Sequence, residues 1–499
     1  MLNQERLRCQ RPTDKLRQRY YRRRARASAN SKFTPPIRNC YSAIRLLLEA
    51  PAPGAAMKLN LRHLHAFREV AELGSISAAA RSVHLTQPAV TQAIAQIEDH
   101  FGARLFSRSS TGMQPTRAGQ VCAARIDRAL RALNEGIVEL RGGAGRDPGS
   151  LMHILHGMRT AQLRALTAIA QHRNFTLAAR SSHMAQPTIH RAARELERLL
   201  GVPLFEKTSF GIVPTSGAEY LARRAGVAFA ELEQARAEIS ALNGNEQGRT
   251  VAGACSMAQH PFLIPEAFIE FTLRCPEHGI SILNGTYEHL VASLRIGETD
   301  FLIGPLRSSD LPHDVVQEHL FDDPLGIIVR AEHPLARRKR LTAADLLRYP
   351  WIAPRRGAPL RSDFETLFQL AGVPAPERPL ECNSLSSARA FLLATNRLML
   401  VSPHHFRDEL RVGSLTLIAH PTGPVVRPMG LISRRDWRPT STQAALLEVI
   451  RQRSRTAQEW AAGTTRRSAE SQPRSPVLGT SGMPLLSTPA MALEPAGNA

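Results

Sequence analysis

The stretch SISAAARSVHLTQPAVTQAIAQIEDHFGARLFSRSSTGMQP, which covers Ser75–Pro115, decides the fold of the first part of this chain. Its alanine-rich start predicts a short helix over Ser77–Val83, and a second helix is predicted over Gln87–His100. Thr86 suits an N-cap, and Pro88 is tolerated in a first turn because its missing N–H has no helical partner there. Two short helices joined by a tight turn make a helix-turn-helix, whose second helix lies in the DNA major groove.

The second predicted helix has two distinct faces. Val90, Ile94 and Ile97 recur at helical spacing and form a stripe that is expected to be buried. The opposite face is polar and uncharged, and it carries Thr91, Gln92 and Gln96. Such a face is compatible with the reading of DNA bases.

The same pattern occurs twice. Leu64–Thr116 matches Leu163–Thr215 without a gap, and roughly a third of the positions are identical. The pair Gln87–Pro88, for example, recurs as Gln186–Pro187. An ungapped match of this length predicts two winged helix-turn-helix units in one chain.

The charge of the chain favours a polyanionic partner. The 499 residues, too many for one core, have a net charge of +21 and a pI near 10.9. Residues 1–56 hold thirteen Lys or Arg against three acidic residues, in a stretch predicted to be disordered. This extension could bind phosphates non-specifically, or it could be an upstream-start artefact, since Met57 begins a stretch typical of a natural start.

Other classes of protein find little support. Six scattered cysteines without a CxxC pair indicate free thiols in a reduced, cytoplasmic setting, without a metal site or cofactor. No apolar run approaches the length of a membrane span. There is no Gly-rich phosphate loop and no G-x-S-x-G elbow, so an enzyme is not expected. A redox switch at Cys255 and Cys275 remains an alternative.

Each unit leads into a helix with an apolar seam. The first seam has heptad spacing, which is typical of helices that pair, and predicts a homodimer or tetramer through Ile126, Leu130, Leu133, Ile137 and Leu140. The alternative is that each long helix only covers its own unit. The glycine-rich stretch Gly142–Ser150 predicts a flexible linker between the units.

The motifs between Ser77 and Gly119 resemble those of the LysR-type transcriptional regulators: S-x-AAA, QPAVTQAI-x-x-IE, G-x-x-LF-x-R and PT-x-AG. The resemblance is close in the first unit and looser in the second, and it extends to residues 248–453. It implies a sequence-specific DNA-binding regulator whose operator binding is modulated by a small-molecule effector. Such proteins usually have one helix-turn-helix, so the duplication is a departure.

The resemblance also implies which residues contact double-stranded DNA. In the first unit these are Gln87, Pro88, Thr91, Gln92, Gln96 and, on the wing, Arg108. In the second unit they are Gln186, Pro187, His190, Arg191, Arg194 and, on the wing, Lys207. Glu98 is interpreted as structural, because a carboxylate facing DNA would be repelled.

The second unit departs from the first in its chemistry. Ala185 replaces the capping Thr86, and the basic pair His190–Arg191 replaces Thr91–Gln92. The sequence therefore suggests that the first unit supplies sequence discrimination and the second mainly phosphate affinity. A degenerate second copy, retained for spacing or dimerisation, is the alternative.

After Gly248 short strands alternate with helices, and the resemblance implies a two-lobed, periplasmic-binding-protein-like α/β effector domain. Crossovers are expected near Asp323–Leu325 and Pro424–Pro428. The predicted domains are 57–145 and 150–243 for the two units and 248–455 for the effector domain, with lobe 1 at 248–323 and 428–455, lobe 2 at 324–427, and a disordered tail at 456–499.

Candidate effector-binding residues follow the predicted strand ends. They are Ser256, Met257, Asn284, Pro305, Asn383 and Ser384. By family analogy the effector is a small organic acid or an aromatic compound. Each of these residues could instead be an ordinary helix cap, and the whole domain could be scaffolding for an architectural DNA binder.

Overall fold

The computed structural model describes residues 60–110, 112–142, 148–208, 211–245, 247–255, 263–307, 311–338, 340–356, 358–421, 423 and 425–470. The extension 1–56, Ser256, Met257 and the tail after Glu470 lie outside the described residues.

The first helix-turn-helix unit forms where its cap and its apolar stripe coincide. The Thr86 hydroxyl accepts a hydrogen bond from Ala89 N, which confirms the predicted N-cap. Val90, Ile94 and Ile97 are buried, as their spacing predicts. The elements are α1 (Leu61–Leu73), α2 (Ile76–Ser82), α3 (Gln87–Phe101), the wing strands β1 (Phe106–Ser109) and β2 (Gly112–Pro115), and the long helix α4 (Arg117–Leu140).

The second unit repeats this order, with one helix added in front. The added helix packs against the first helix and the long helix of the first unit, so it connects the two units, and its first residues lie in the predicted flexible linker. The elements are α5 (Pro148–Gly157), α6 (Thr160–His172), α7 (Phe175–Ser181), α8 (Gln186–Leu200), β3 (Phe205–Thr208), β4 (Gly211–Pro214) and the long helix α9 (Ser216–Leu242).

The two long helices, α4 and α9, lie antiparallel against each other. Near the start of α4, Arg125 binds Glu238 close to the end of α9, and further along α4, Glu135 binds Arg224 close to the start of α9. The apolar residues of both helices belong to one core that is continuous through the two units. The seam residues Ile126, Leu130, Leu133 and Ile137 are buried there, and Leu140 is half-buried.

This packing corrects the predicted role of the α4 seam. The heptad spacing does indicate a pairing helix, and within this chain the partner is α9. The apolar seam of α4 is already buried by α9, the long helix that the duplication supplies. Contacts between chains must therefore use other surfaces while this pairing persists.

The C-terminal domain is α/β and two-lobed, as predicted. Its elements are β5 (Gly248–Cys255), α10 (Leu263–Arg274), β6 (His278–Gly285), α11 (Tyr287–Arg295), β7 (Phe301–Pro305), β8 (Val315–Arg330), α12 (Ala343–Leu347), β9 (Trp351–Ala353), α13 (Pro359–Leu370), β10 (Leu380–Glu381), α14 (Leu385–Ala394), β11 (Leu398–Val401), α15 (Arg407–Val412), β12 (Leu415–Ile418), β13 (Val425–Arg434) and α16 (Ser441–Glu470).

Two long strands join the lobes. In lobe 1 the strand order is β6–β5–β7–β13–β8, and in lobe 2 it is β10–β9–β11–β8, with β12 also paired to β8. Both β8 and β13 pass from one lobe to the other, and Arg427 lies opposite Asp323 where they cross. The predicted crossovers fall at this place. The last helix runs on to Glu470, past residue 456 where the disordered tail is predicted to begin.

Candidate DNA interface and effector cleft

The exposed face of α3 is polar and carries no charge from Gln87 to Gln96, and Asp99 is exposed beyond it. It presents together the residues that the sequence predicts for DNA contact on this helix: Gln87, Pro88, Thr91, Gln92 and Gln96. Thr91 Oγ1 donates to Gln87 O at 3.0 Å, and the Gln96 side chain hydrogen-bonds with His63 of α1. A row of amides therefore stands on the side of the helix that faces away from the core.

The Glu98 side chain links α3 to the start of the wing by hydrogen bonds. Its Oε1 accepts hydrogen bonds from Leu105 N at 2.7 Å and Phe106 N at 3.2 Å. In the second unit Glu197 accepts from Leu204 N at 2.9 Å. The interpretation of Glu98 as a structural residue is confirmed, and the second unit repeats one of its hydrogen bonds.

The wing of the first unit presents Arg108, which is exposed on β1. The wing is held against the end of α1, because Met113 N donates to Gly74 O at 2.8 Å. Gly112 has φ +119°, and a Cβ there would lie 2.4 Å from Gly74 O, so this close approach requires glycine. Lys207 is the counterpart of Arg108 on β3, and its side chain lies outside the described residues.

The exposed face of α8 is charged. Among the predicted DNA-contacting residues of this helix, the exposed ones are Gln186, Pro187, Arg191 and Arg194. His190 is half-buried, because its ring lies on that of Phe175 with 3.8 Å between centroids.

Sequence reasoning missed an acidic residue on the α8 face. Glu195 stands at the repeat position of Gln96, 3.9 Å from Arg191 Nε. The carboxylate makes the face less basic than the arginines alone suggest. The ungapped alignment of the two units already contained this substitution.

Local stabilisation is weaker in the second unit. Ala185 makes no side-chain cap at the start of α8, as predicted. Arg173 ends α6 in the left-handed conformation at φ 49°, where the first unit has Gly74 at φ 64°. A side chain in this region of backbone space costs about 1–2 kcal/mol relative to glycine.

The carboxyl ends of the parallel strands in the two lobes face one another. Strands β5, β6 and β7 are parallel and run in the same direction as β8, which leads from lobe 1 into lobe 2. Strands β9, β10 and β11 are also parallel, and β11 is antiparallel to β8, so they run back toward lobe 1. A cleft between the carboxyl ends of two sets of parallel strands is where α/β proteins bind ligands.

The predicted effector residues that the structure describes lie at these strand ends, but two of them already serve the fold. Ser384 Oγ caps α14 by accepting from Ser387 N at 3.3 Å. Asn383 Oδ1 accepts from Arg355 N at 3.1 Å. Asn284 is exposed on β6 and Pro305 is buried at the end of β7.

A charged cluster at the crossover was not predicted. Arg427 is 3% exposed, and its Nη2 donates to Asp323 Oδ2 at 2.9 Å, while Asp323 Oδ1 accepts from Ser402 at 2.6 Å. Among the described residues, Arg427 Nε and Nη1 have no hydrogen-bond partner, and Asp363 Oδ2 is 3.9 Å from Nη1. Burial raises the pKa of Asp363, against the opposing charge of Arg427. The signal in the sequence was one acidic and one basic residue at the two crossovers.

A second missed group lies at the lobe 1 side. The Tyr287 side chain is 3% exposed, and its hydroxyl has no hydrogen-bond partner among the described residues. The Arg307 guanidinium lies 3.8 Å from the centre of the Tyr287 ring, and Arg307 Nη2 donates to Glu288 at 2.7 Å. Burial raises the pKa of the Tyr287 phenol.

A reactive thiol, a metal site and a membrane-spanning helix find no support in the described part of the chain. Cys122 and Cys255 are buried free thiols, and burial raises the pKa of Cys255 to about 11, so it is a poor thiolate at neutral pH. Side chains with metal-ligating groups do not gather in clusters of three or more within the described ranges. Within those same ranges, none of the helices has both the length and the apolarity that crossing a bilayer requires.

Family models match both parts of the chain. The model of the bacterial regulatory helix-turn-helix protein of the lysR family matches residues 61–120 and again 160–219. The LysR substrate binding domain model matches residues 244–455.

Curated relatives match this chain over most of their own length. The HTH-type transcriptional regulator GalR of Pseudomonas putida is 31% identical over 393 residues, which cover 79% of this chain and 97% of that protein. The HTH-type transcriptional regulator PcaQ of Agrobacterium fabrum is 27% identical over 290 residues, which cover 58% of this chain and 93% of that protein. The longer alignment is close to the span from 61 to 455 that the family models mark.

Solved structures with similar folds include a full-length OxyR variant from Pseudomonas aeruginosa, with 22% identity and a TM-score of 0.45 over 60% of this chain and 95% of that one. CbnR, a LysR family transcriptional regulator, has 21% identity and a TM-score of 0.42 over 60% of this chain and 99% of that one. From the family models and the P. putida relative it follows that this chain belongs to the lysR family of bacterial helix-turn-helix transcriptional regulators and carries two helix-turn-helix units ahead of one effector-binding domain.

Proposed function

We propose that both units contact operator DNA, with α3 reading base edges and α8 contributing mainly phosphate contacts. The observation that carries this proposal is that the two helices present counterpart positions on exposed faces of different charge. A cytoplasmic location is part of the proposal, because a bacterial operator lies in the cytoplasm.

The chemistry of the two faces differs at several matched positions, and Gln92 with Arg191 is one such pair. Gln92 on α3 offers an amide that can donate to and accept from the edge of adenine, and each such pair discriminates by about 1–3 kcal/mol. Its counterpart Arg191 offers a cation, which is drawn to phosphates without regard to sequence. Glu195 lies beside Arg191 and limits how closely the second face can approach the backbone.

The experiment compares Gln92→Ala with Arg191→Ala on an operator selected from random duplexes. Gln92→Ala should flatten base preference within one half-site. Arg191→Ala should weaken all duplexes alike and lower the slope of log affinity against log salt by about 1. Arg131→Ala, on the exposed side of α4, is the matched control and should change neither quantity. Unchanged affinity and salt slope in Arg191→Ala would mean that the second unit serves only for pairing.

We further propose that the effector is a small carboxylic acid, bound between the lobes. Arg427 supports this, since it is buried with two N–H-bearing nitrogens that lack hydrogen-bond partners among the described residues. A carboxylate is the ligand that a guanidinium binds with paired hydrogen bonds. The unsatisfied Tyr287 hydroxyl is a second polar group for the same ligand.

Thermal stability of the full chain with a panel of aliphatic and aromatic monocarboxylates tests this proposal. One acid should raise Tm in a concentration-dependent way. Tyr287→Phe, which keeps the ring, should reduce that shift, and Arg427→Gln should abolish it. If no acid raises Tm, or if both variants respond as the parent does, the carboxylate site is wrong and a purely architectural domain is favoured.

A further inference from the structure

We propose that the two helix-turn-helix units of a single chain bind DNA as a pair. In this arrangement α4 and α9 form a pseudo-two-fold contact inside one polypeptide, and the two units together occupy one operator built of two unequal half-sites. The inference rests on the proposed function, that both units contact DNA, and it concerns how they are joined.

Two polar contacts between α4 and α9 are related to each other by a two-fold operation. The repeat makes Arg125 the counterpart of Arg224, and Glu135 the counterpart of Gln234. Arg125 Nη1 donates to Gln234 Oε1 at 2.7 Å, and Arg224 donates to Glu135. Exchanging the two units therefore turns one contact into the other, which is the property of an isologous interface between identical subunits.

The middle of the contact follows the same rule. The antiparallel register brings the counterparts Leu130 and Phe229 closest to the pseudo-two-fold axis, and both are buried in the shared core. The backbones approach closely nearby, since a Cβ on Gly136 would lie 3.3 Å from Leu221 Cα. The interface is thus packed as tightly as a domain core.

The buried charges favour pairing of α4 with α9 over pairing of two α4 helices. Glu231 is 4% exposed and accepts hydrogen bonds from both Arg125 and Arg128. Its counterpart on α4 is Ala132. Two α4 helices from separate chains, paired in this register, would leave Arg128 without a carboxylate. Covalent linkage adds to this preference by raising the effective concentration of the internal partner.

The backbone of α9 approaches the effector domain more closely than the matched part of α4 does. Gly226 of α9 lies so close to lobe 1 that a Cβ would be 2.2 Å from Ile296 O. The counterpart of Gly226 on α4 is Asp127, whose side chain is 38% exposed and paired with Arg131. One effector domain therefore serves two helix-turn-helix units. The amide-bearing face of α3 and the charged face of α8 would meet half-sites of different sequence, with centres separated by about one helical turn or a multiple of it, as for helix-turn-helix dimers.

The test locks α4 to α9 with a disulfide in the full-length chain. Gly136→Cys is combined with Leu221→Cys, which also removes the leucine atom that a Cβ at 136 would strike. Two versions of the chain that differ in mass, one with a fused tag domain, are co-expressed and oxidised. The single-cysteine variants are the controls.

Each version should cross-link within itself and migrate as a single chain, and no product of mixed mass should form. A mixed product would overturn the proposal, since α4 would then pair with α9 of another copy. Should this pair prevent folding, Glu135→Cys with Arg224→Cys replaces it at the more exposed rim of the contact.

The locked protein is then compared with its reduced form on the operator. Equal affinity is expected, and a loss of more than tenfold on oxidation would overturn the paired arrangement as the DNA-bound form. The cross-linking outcomes can be distinguished from failure of the proposal that both units contact DNA. Arg191→Ala without effect would show that the second unit does not contact DNA, whatever the cross-link shows.

Discussion

The two helix-turn-helix units share a fold but reach it by different means. The first unit uses local signals: Thr86 caps α3, and Gly74 ends α1 in the left-handed conformation. The second unit has Ala185 and Arg173 at these positions. It is held instead by tertiary packing, because α9 is buried between α4 and lobe 1. A duplicated domain can thus lose local stabilisation where the rest of the chain supplies contacts.

The largest expected effect concerns the carboxylate that only α9 provides. Glu231→Gln removes one of the two carboxylates that bind the buried Arg125, which keeps Glu238, and removing one partner of a buried pair costs at most about 3–5 kcal/mol. Glu135→Gln is the matched control on α4, 54% exposed, and should cost about 0–1 kcal/mol. Urea denaturation of both variants measures the difference. Equal losses would show that the buried network does not distinguish the two helices.

The Glu231 carboxylate also predicts a loss of folding stability at low pH. Burial opposes ionisation of Glu231, but hydrogen bonds from Arg128 and Arg125 outweigh it and lower the pKa. The stabilisation is therefore present above the unfolded value near 4.5 and is lost as pH falls through the lower folded value. Glu231→Gln should lack this part of the acid transition.

The second effect is the part of the pH dependence that His65 of the first unit contributes. Burial, with the nearby charges of Arg68 and His156, lowers the pKa of His65 to about 4. The unfolded chain binds this proton near pH 6.5 and the folded chain does not, so stability should fall between pH 6.5 and 4, by about 3 kcal/mol at the end. His65→Leu should lose this component in urea titrations across that range. His172→Leu, at the end of α6, should retain it, and identical pH profiles for parent and His65→Leu would contradict the assignment.

The smallest effect comes from exchanging the caps. Thr86→Ala should destabilise the first unit by about 0.5–2 kcal/mol, and Ala185→Thr should stabilise the second by up to a similar amount. Thermal unfolding of the two variants and of the double exchange provides the measurement. If Ala185→Thr gives no gain, the start of α8 is not limited by its missing cap.

Features with local signals could be predicted from the sequence. Caps such as Thr86, the stripe containing Ile94, and the strands before and after each crossover are set by residues close in the chain. The repeat was visible because it has no gaps. The seam of α4 was also visible, but heptad spacing indicates only that a helix pairs and not which helix it meets.

Features that depend on distant residues could not be predicted. Asp323 and Arg427 are far apart in sequence and meet only because β8 and β13 lie side by side. The opposite signs of their charges were the sole hint. The partly covered face of His190 likewise depends on Phe175 in another helix. Such pairings follow from topology, which one sequence specifies only coarsely.

The claim that one chain spans both half-sites is tested most directly by the ratio of DNA to protein at saturation. A labelled duplex with a single two-half-site operator is titrated with the full chain, at concentrations well above Kd, and followed by fluorescence anisotropy. One duplex per chain is predicted, whatever the number of chains in the assembly. A break at two chains per duplex would contradict the account, because each chain would then place only one unit on the operator.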